Sequence, residues 1–213
     1  MRAFLSYQTE DRHVAAEVRS FLESIAVPAF MAHDDINVSH EWRDVILAEI
    51  SQADIFIVIL SARYLASYYC LQESGIAAFR GAMMTIIPLS IDGTIPPGFM
   101  AHVQSKAITP GHISNAVLFA GIAKYDRAFA IDSMITKFLT SRSWAAASSN
   151  LAILKPYLAG ASDDVIREVL HAAAVNPEIA HSFDCRETLR DLLETHGAII
   201  EEKDRDYLES VFN

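Results

Sequence analysis

Asp54-Ile55-Phe56-Ile57-Val58-Ile59-Leu60 is the stretch on which the fold turns. A strand with one wet face alternates apolar and polar residues; this one is apolar at every position after Asp54. Such a run belongs in the middle of a parallel sheet covered by helices on both faces. Strands are therefore expected on either side of it. Ala3-Phe4-Leu5-Ser6-Tyr7 and Val27 to Met31 supply two before it, Thr85 to Ile91 a third after it, and Gln104 to Ile108 a weaker last one. Helical periodicity fills the intervals. Thr9 is placed to cap a helix with Glu10 and Asp11 in its first turn, where carboxylates suit the positive end of the helix dipole. Val14, Val18, Phe21, Leu22 and Ile25 then share one face. Ser39 is placed to cap a second helix carrying Trp42, Val45, Ile46, Glu49 and Ile50 at spacings of three and four. A third starts near Gln72, and a stretch from about Ser114 to Leu139 reads as helix broken near Lys124. Five strands with helices between them predict an α/β, flavodoxin-like, five-stranded parallel sheet. Sheets of that kind bind ligands at the carboxyl ends of their strands, where the strand order reverses.

The rest of the chain has a different pattern. Ser141 to Asn150 is small and polar apart from Trp144 and reads as a linker. Beyond it only helical spacing remains, with Ser162 capping Val165, Ile166, Val169 and Leu170, followed by Leu189, Leu192 and Leu193, then Tyr207, Leu208, Val211 and Phe212. The expected organisation is a sheet domain over 1–140 and a small C-terminal α-helical domain over 150–213. From Asn150 on there are thirteen acids against six bases, so −7 of the formal charge of −10 lies there. Nothing in this part reads as catalytic.

Composition narrows the function. With 52% hydrophobic and 21% charged residues, the 213-residue chain has enough apolar material for a packed core. Its negative charge repels polyanions and no basic run offsets it, so nucleic acid is not an expected partner. No apolar run approaches the ~18 residues that span a bilayer, and the first residues show no signal-peptide pattern. Cys70 and Cys185 stand in no metal-type spacing and read as reduced thiols of a cytoplasmic protein. There is no phosphate-binding glycine loop. His33-Asp34-Asp35 has no further metal ligand at suitable spacing and reads as a solvated loop, so no metal site is expected.

The expected strand ends bring together three loops: Tyr7, Gln8 and Thr9; His33, Asp34 and Asp35; Tyr69, Cys70 and Glu73. Glu73 is expected in the first turn of its helix, where free N–H groups and the dipole favour its ionised form. Such a carboxylate usually only stabilises its helix, by up to ~1 kcal/mol. Beside an apolar wall it could also hold ribose hydroxyls and steady a developing positive charge, as cleavage of an N-glycosidic bond requires. Tyr69 could stack on a flat ring. Trp42 by itself reads first as packing, and Cys70, with no adjacent activating base, as packing before nucleophile.

These same residues carry a resemblance. Ala3 to Tyr7 followed by Thr9-Glu10-Asp11 resembles the first box of a TIR (Toll/interleukin-1 receptor) domain. Phe30 to Trp42 is similar to the second box, the BB loop, in the form seen in bacterial members. Asp54 to Ser61, followed by Tyr64, Ser67, Tyr69, Cys70 and Glu73, is similar to the third. The resemblance implies NAD+ as substrate, cleaved at the nicotinamide–ribose bond, with no further cofactor. It implies Glu73 as the catalytic glutamate and Tyr69 in place of the usual tryptophan beside the substrate. Tyr7 and Gln8 would line the pocket from the first loop, and Asp34, Asp35 and Trp42 from the BB region, with Cys70 beside them. It further implies homo-oligomers whose BB loop completes a neighbour's pocket, and a Thoeris-like role in anti-phage defence, in which a cyclic or conjugated ADP-ribose reaches a separate effector. Simple NAD+ hydrolysis and a non-enzymatic adaptor remain the alternatives.

Overall fold

The computed structural model describes residues 1–32 and 42–212, in two compact units, Met1–Arg127 and Ala128–Asn213. The first is a five-stranded parallel sheet of β1 (Ala3–Ser6), β2 (Ala29–Met31), β3 (Ile55–Leu60), β4 (Thr85–Ser90) and β5 (Lys106–Ala107). The order is β2-β1-β3-β4-β5, with β3 in the centre as its uninterrupted apolar run requires. The fold is the expected doubly wound one. Each strand is one to three residues shorter than its apolar run, because the ladder ends where the chain turns away, not where hydrophobicity stops.

Register explains the core. Phe4 lies opposite Phe30 on one side and Phe56 on the other. The three rings form a row, with Phe4 centred 5.4 Å from Phe30 and 5.7 Å from Phe56. Strand residues of even number on β1 and β3 thus point to one face, where Phe56, Val58 and Leu60 pack with Ile46 and Ile50 of α2 (Trp42–Gln52) and Ala77 of α4 (Tyr68–Arg80). Ser6, at the end of β1, shares that face by the same alternation. α1 (Arg12–Ser24) buries Val14, Ala15, Val18, Phe21 and Leu22, the stripe its spacing predicts. Between β3 and α4 lies the short α3 (Ala62–Ala66), capped by Ser61, whose Oγ accepts from the Tyr64 N–H at 3.1 Å. α5 (Asn115–Tyr125) packs on β4 with Gly121 at the contact, where a Cβ would lie 2.2 Å from the Ile87 side chain and force it to move.

Two local expectations are corrected. Gln8, not Thr9, is the capping residue, its Oε1 accepting from the Glu10 N–H at 3.1 Å, and the turn it opens is a 3-10 turn over Thr9–Asp11. Asp11 is not a solvated first-turn acid. It is fully buried, accepting the Ser61 hydroxyl at 2.7 Å and pairing with Arg63, because the turn pulls it beneath the end of β3.

The second unit is helical throughout: α6 (Arg127–Leu139), α7 (Trp144–Leu158), α8 (Asp163–Val175), α9 (Pro177–Ala180), α10 (Phe183–His196) and α11 (Glu202–Phe212). The break before α6 falls at Asp126, close to the place expected. The expected linker is instead helix from Trp144 on, with Ser143 accepting from the Ala146 N–H at 3.2 Å. Alanines are small, which reads as linker, but they are also the best helix formers, and Ala147 packs in the interior. The predicted stripes Ile166, Val169, Leu170, Leu189 and Leu208 are buried. Among the described residues no helix is long and apolar enough to cross a membrane.

Candidate active site

Sheet topology places the site. The chain leaves β1 toward β2 on one side and returns through β3 on the other, so the crevice beyond the carboxyl ends of these strands is the reversal point at which doubly wound folds bind ligands. A cavity of about 430 Å3 opens there, within the ~300–1,000 Å3 range usual for small-molecule sites. Tyr7 and Gln8 reach it from the end of β1, Trp42 from the start of α2, and Tyr69, Cys70 and Glu73 from the first two turns of α4. Asp34 and Asp35, named with these six by the sequence, lie outside the described residues, as does the cap expected at Ser39.

Glu73 is not in the first turn of its helix. α4 begins at Tyr68, capped by Ser67, whose Oγ accepts from the Cys70 N–H at 3.4 Å. Glu73 therefore sits in the second turn, beyond the free N–H groups that were expected to hold it charged. The apolar run that seemed to begin the helix is only where its buried face begins. The carboxylate is 8% exposed and its Oε2 accepts the Ser6 hydroxyl at 2.5 Å. Burial disfavours the charged form and the Ser6 hydrogen bond favours it. Burial wins, pushing the carboxyl up to about 7. The expectation of a firmly ionised group is corrected accordingly: near neutral pH this carboxyl is poised between its two forms.

The surrounding groups are fixed by bonds that do not involve Glu73. Arg80, at the far end of α4, donates to the carbonyl oxygens of Ile50 and Ala53, clasping α4 to the end of α2. Arg63 and Ser61 hold Asp11, which anchors the turn bearing Gln8 and Thr9. Cys70 donates its thiol to the Tyr7 carbonyl at 3.6 Å, and burial raises it to about 11, so it is a neutral thiol at physiological pH. Tyr69 is 65% exposed and Trp42 38% exposed. Both rings stand at the cavity instead of filling the interior, which departs from the packing role Trp42 suggests by itself. The wall thus combines a titratable carboxyl, a neutral thiol and two aromatic faces. It can accept hydrogen bonds from hydroxyls and stabilise a cation, while offering a flat ring a surface.

Three residues behind the carboxyl were not among the site residues expected from the sequence: Ser6, Tyr64 and Ser74, all buried. Tyr64 Oη lies 2.8 Å from Ser6 Oγ and 2.8 Å from Ser74 Oγ. Ser6 had one visible signal, a hydroxyl at the carboxyl end of an apolar strand, on the same face as Phe4. Tyr64 stood in the third stretch of the resemblance with no role attached to it, and Ser74 had no signal that separates it from an ordinary helix residue. Among the described residues there is no cluster of side chains able to hold a metal ion.

Comparison with known proteins places the fold in a family. The model of the TIR domain matches residues 3–118. No curated protein matches the chain. Among solved structures, the chain is similar to the TIR domain of the Toll-related receptor TRR-2 from Hydra magnipapillata, with 22% identity and a TM-score of 0.43, over 49% of this chain and 82% of that one.

Proposed function

This chain belongs to the TIR domain family, and from that membership we propose that it is an NAD+ nucleosidase whose working carboxylate is Glu73. The observation that carries the reading is a buried carboxyl in the cavity wall at the strand-order reversal, held by Ser6 and with no cation partner among the described residues. Such a group costs stability, and its chemistry suits one purpose. In nicotinamide release the bond between ribose C1′ and the nicotinamide nitrogen breaks and its electron pair stays on that nitrogen, which becomes neutral. The positive charge moves to C1′ and the ring oxygen of the ribose. A carboxylate fixed beside the sugar stabilises this charge more than it stabilises bound substrate, which is the condition for accelerating the step.

The poised carboxyl fits a cationic substrate. The nicotinamide ring of NAD+ carries a positive charge, so binding it beside Glu73 favours the ionised form. Tyr69 and Trp42 offer faces to the flat ring, with Tyr7, Gln8 and Cys70 completing the described wall. The neutral Cys70 thiol takes no covalent part. After bond cleavage, water adding at C1′ and losing a proton gives ADP-ribose, whereas an adenine nitrogen of the same molecule gives a cyclic product. We take the second kind, or a conjugate, as the product: a nucleotide signal made in the bacterial cytoplasm for a separate effector, in Thoeris-like anti-phage defence. TIR domains generally self-associate, and Asp34, Asp35 and the rest of the BB loop are assigned to completing the pocket of a neighbouring copy.

The test is incubation of concentrated protein with NAD+, with nicotinamide and the nucleotide products followed by mass spectrometry. Glu73→Gln should lower nicotinamide release by on the order of 100- to 1,000-fold while the circular dichroism spectrum stays that of the wild type. Equal release by the two proteins would remove Glu73 from the chemistry. A product lighter than ADP-ribose by one water identifies cyclisation.

A further inference from the structure

We propose that Ser6 is a positioning residue that sets the charge of Glu73, and that Tyr64 and Ser74 behind it fix the direction in which the Ser6 hydroxyl points. The inference rests on the reading of Glu73 as the working carboxylate. Ser6 Oγ lies 2.5 Å from Glu73 Oε2 and 2.8 Å from Tyr64 Oη. Tyr64 Oη lies in turn 2.8 Å from Ser74 Oγ and 3.0 Å from the Cys70 carbonyl oxygen. A hydroxyl has one proton to donate, so the directions along this line depend on one another. An ionised Glu73 can only accept, which commits the Ser6 proton to it. The short contact between Ser6 and Tyr64 then requires the Tyr64 proton to point at Ser6, and the Ser74 proton at Tyr64. Three buried hydroxyls in series thus direct their dipoles toward the carboxylate, each polarising the next. When Glu73 carries a proton on Oε2 the line runs the other way: Glu73 donates to Ser6, Ser6 to Tyr64, and Tyr64 to the Cys70 carbonyl. Both charge states find a complete set of partners in one backbone arrangement. The carboxyl can therefore change charge as a cationic substrate enters without any element having to move.

Other ionisable groups do not explain the behaviour of Glu73. Among the described residues, Tyr64 of α3 is pushed well above its ordinary value by burial, and Cys70 on the same helix is raised to about 11, so both stay neutral while Glu73 titrates. Tyr7 and Tyr69 share the cavity wall, and the nearby buried acid Asp11 is paired with Arg63. Ser6 supplies the hydrogen bond that opposes the effect of burial on Glu73.

The test is carbon-13 detected titration of the Glu73 carboxyl in the free protein, with kcat/KM for NAD+ measured across the same pH range. The wild-type midpoint is expected near 7. Ser6→Ala should raise it by about one pH unit or more, and Tyr64→Phe, which spares the Ser6 donor and the ring, should raise it by less. The acid limb of kcat/KM should move by the same amounts, so that Ser6→Ala loses about fivefold or more at pH 7 and recovers toward pH 9. A loss uniform at every pH, or an unmoved or lowered midpoint in Ser6→Ala, overturns the role of Ser6. If the wild type releases no nicotinamide at any pH, the substrate falls, and the titration still decides whether Ser6 governs the carboxyl. If wild type and Ser6→Ala share one acid limb, Ser6 falls and the substrate stands.

Discussion

The two units of this chain place their buried polar groups differently. In the helical unit such groups close helix ends. The half-buried Asn176 does the same at the border of the interior: its Nδ2 donates to the carbonyls of Leu139 at 2.7 Å and Ser141 at 3.0 Å, while its Oδ1 caps α9 by accepting from the Glu178 N–H at 2.9 Å. Asn150 donates to Ser141 Oγ at 3.1 Å, and the buried carboxylate of Asp204 meets the half-exposed His171 at 2.7 Å. Each of these bonds satisfies atoms that the fold itself left open. In the sheet unit Ser6, Tyr64, Ser74 and Glu73 satisfy one another, but Glu73 faces a cavity and is raised to about 7. Polar burial that serves the fold ends in a neutral closure or a pair, as Asp11 does with Arg63 in the sheet unit too; polar burial that serves chemistry leaves a group titratable at the wall of a cavity.

That contrast can be strained from either side. The largest effect on stability should come from the apolar row across the sheet: Phe4→Ala removes the central ring and should cost about 3–5 kcal/mol in denaturant unfolding. Next comes Glu73 itself. Its folded form keeps a proton up to about pH 7, whereas in an unfolded chain it loses it near ~4.3. Folding therefore binds a proton between these values, and stability falls as pH rises through that window. The contribution is fully present below the unfolded value and lost above about 7, a swing of roughly 4 kcal/mol. Glu73→Gln should abolish the swing, making the variant more stable than wild type at pH 8 though inactive on NAD+. A variant no more stable there would mean that the carboxyl is not a strained group, and the contrast drawn here would fail.

In the helical unit the corresponding substitution should behave in the opposite way. Asn176→Ala loses a cap and two donated bonds, and should cost about 1–3 kcal/mol, with kcat/KM per folded molecule unchanged. Smallest is Gly75→Ala in α4, where the added methyl meets nothing within 4 Å. It should stabilise by about 0.5–1 kcal/mol through helix propensity, and thermal unfolding would register it as a small rise in Tm.

Much of this could be read before folding was considered. The run Ile55–Leu60 placed the central strand, since only burial on both faces accommodates six apolar residues in succession, and the stripes of α1 and α8 followed from spacing alone. The loops that would carry the site were legible for the same reason: a parallel sheet delivers its strand ends to one edge. Helix starts were less legible. Tyr68 to Leu71 are half-exposed or outward-facing for the most part, so hydrophobicity placed the beginning of α4 four residues late. That displacement reversed the reading of the charge on Glu73. Trp144 to Asn150 failed for the related reason that alanine is ambiguous between linker and helix.

Sequence alone determined the order of the strands' apolar runs, the edge at which chemistry would gather, and the identity of the carboxyl offered to it, because periodicity and chain connectivity are local properties. Only the tertiary structure decided the state of that carboxyl. Desolvation and the Ser6, Tyr64 and Ser74 hydroxyls come from segments up to 68 residues apart in the chain, and a shift in proton affinity is the sum of what surrounds a group in space.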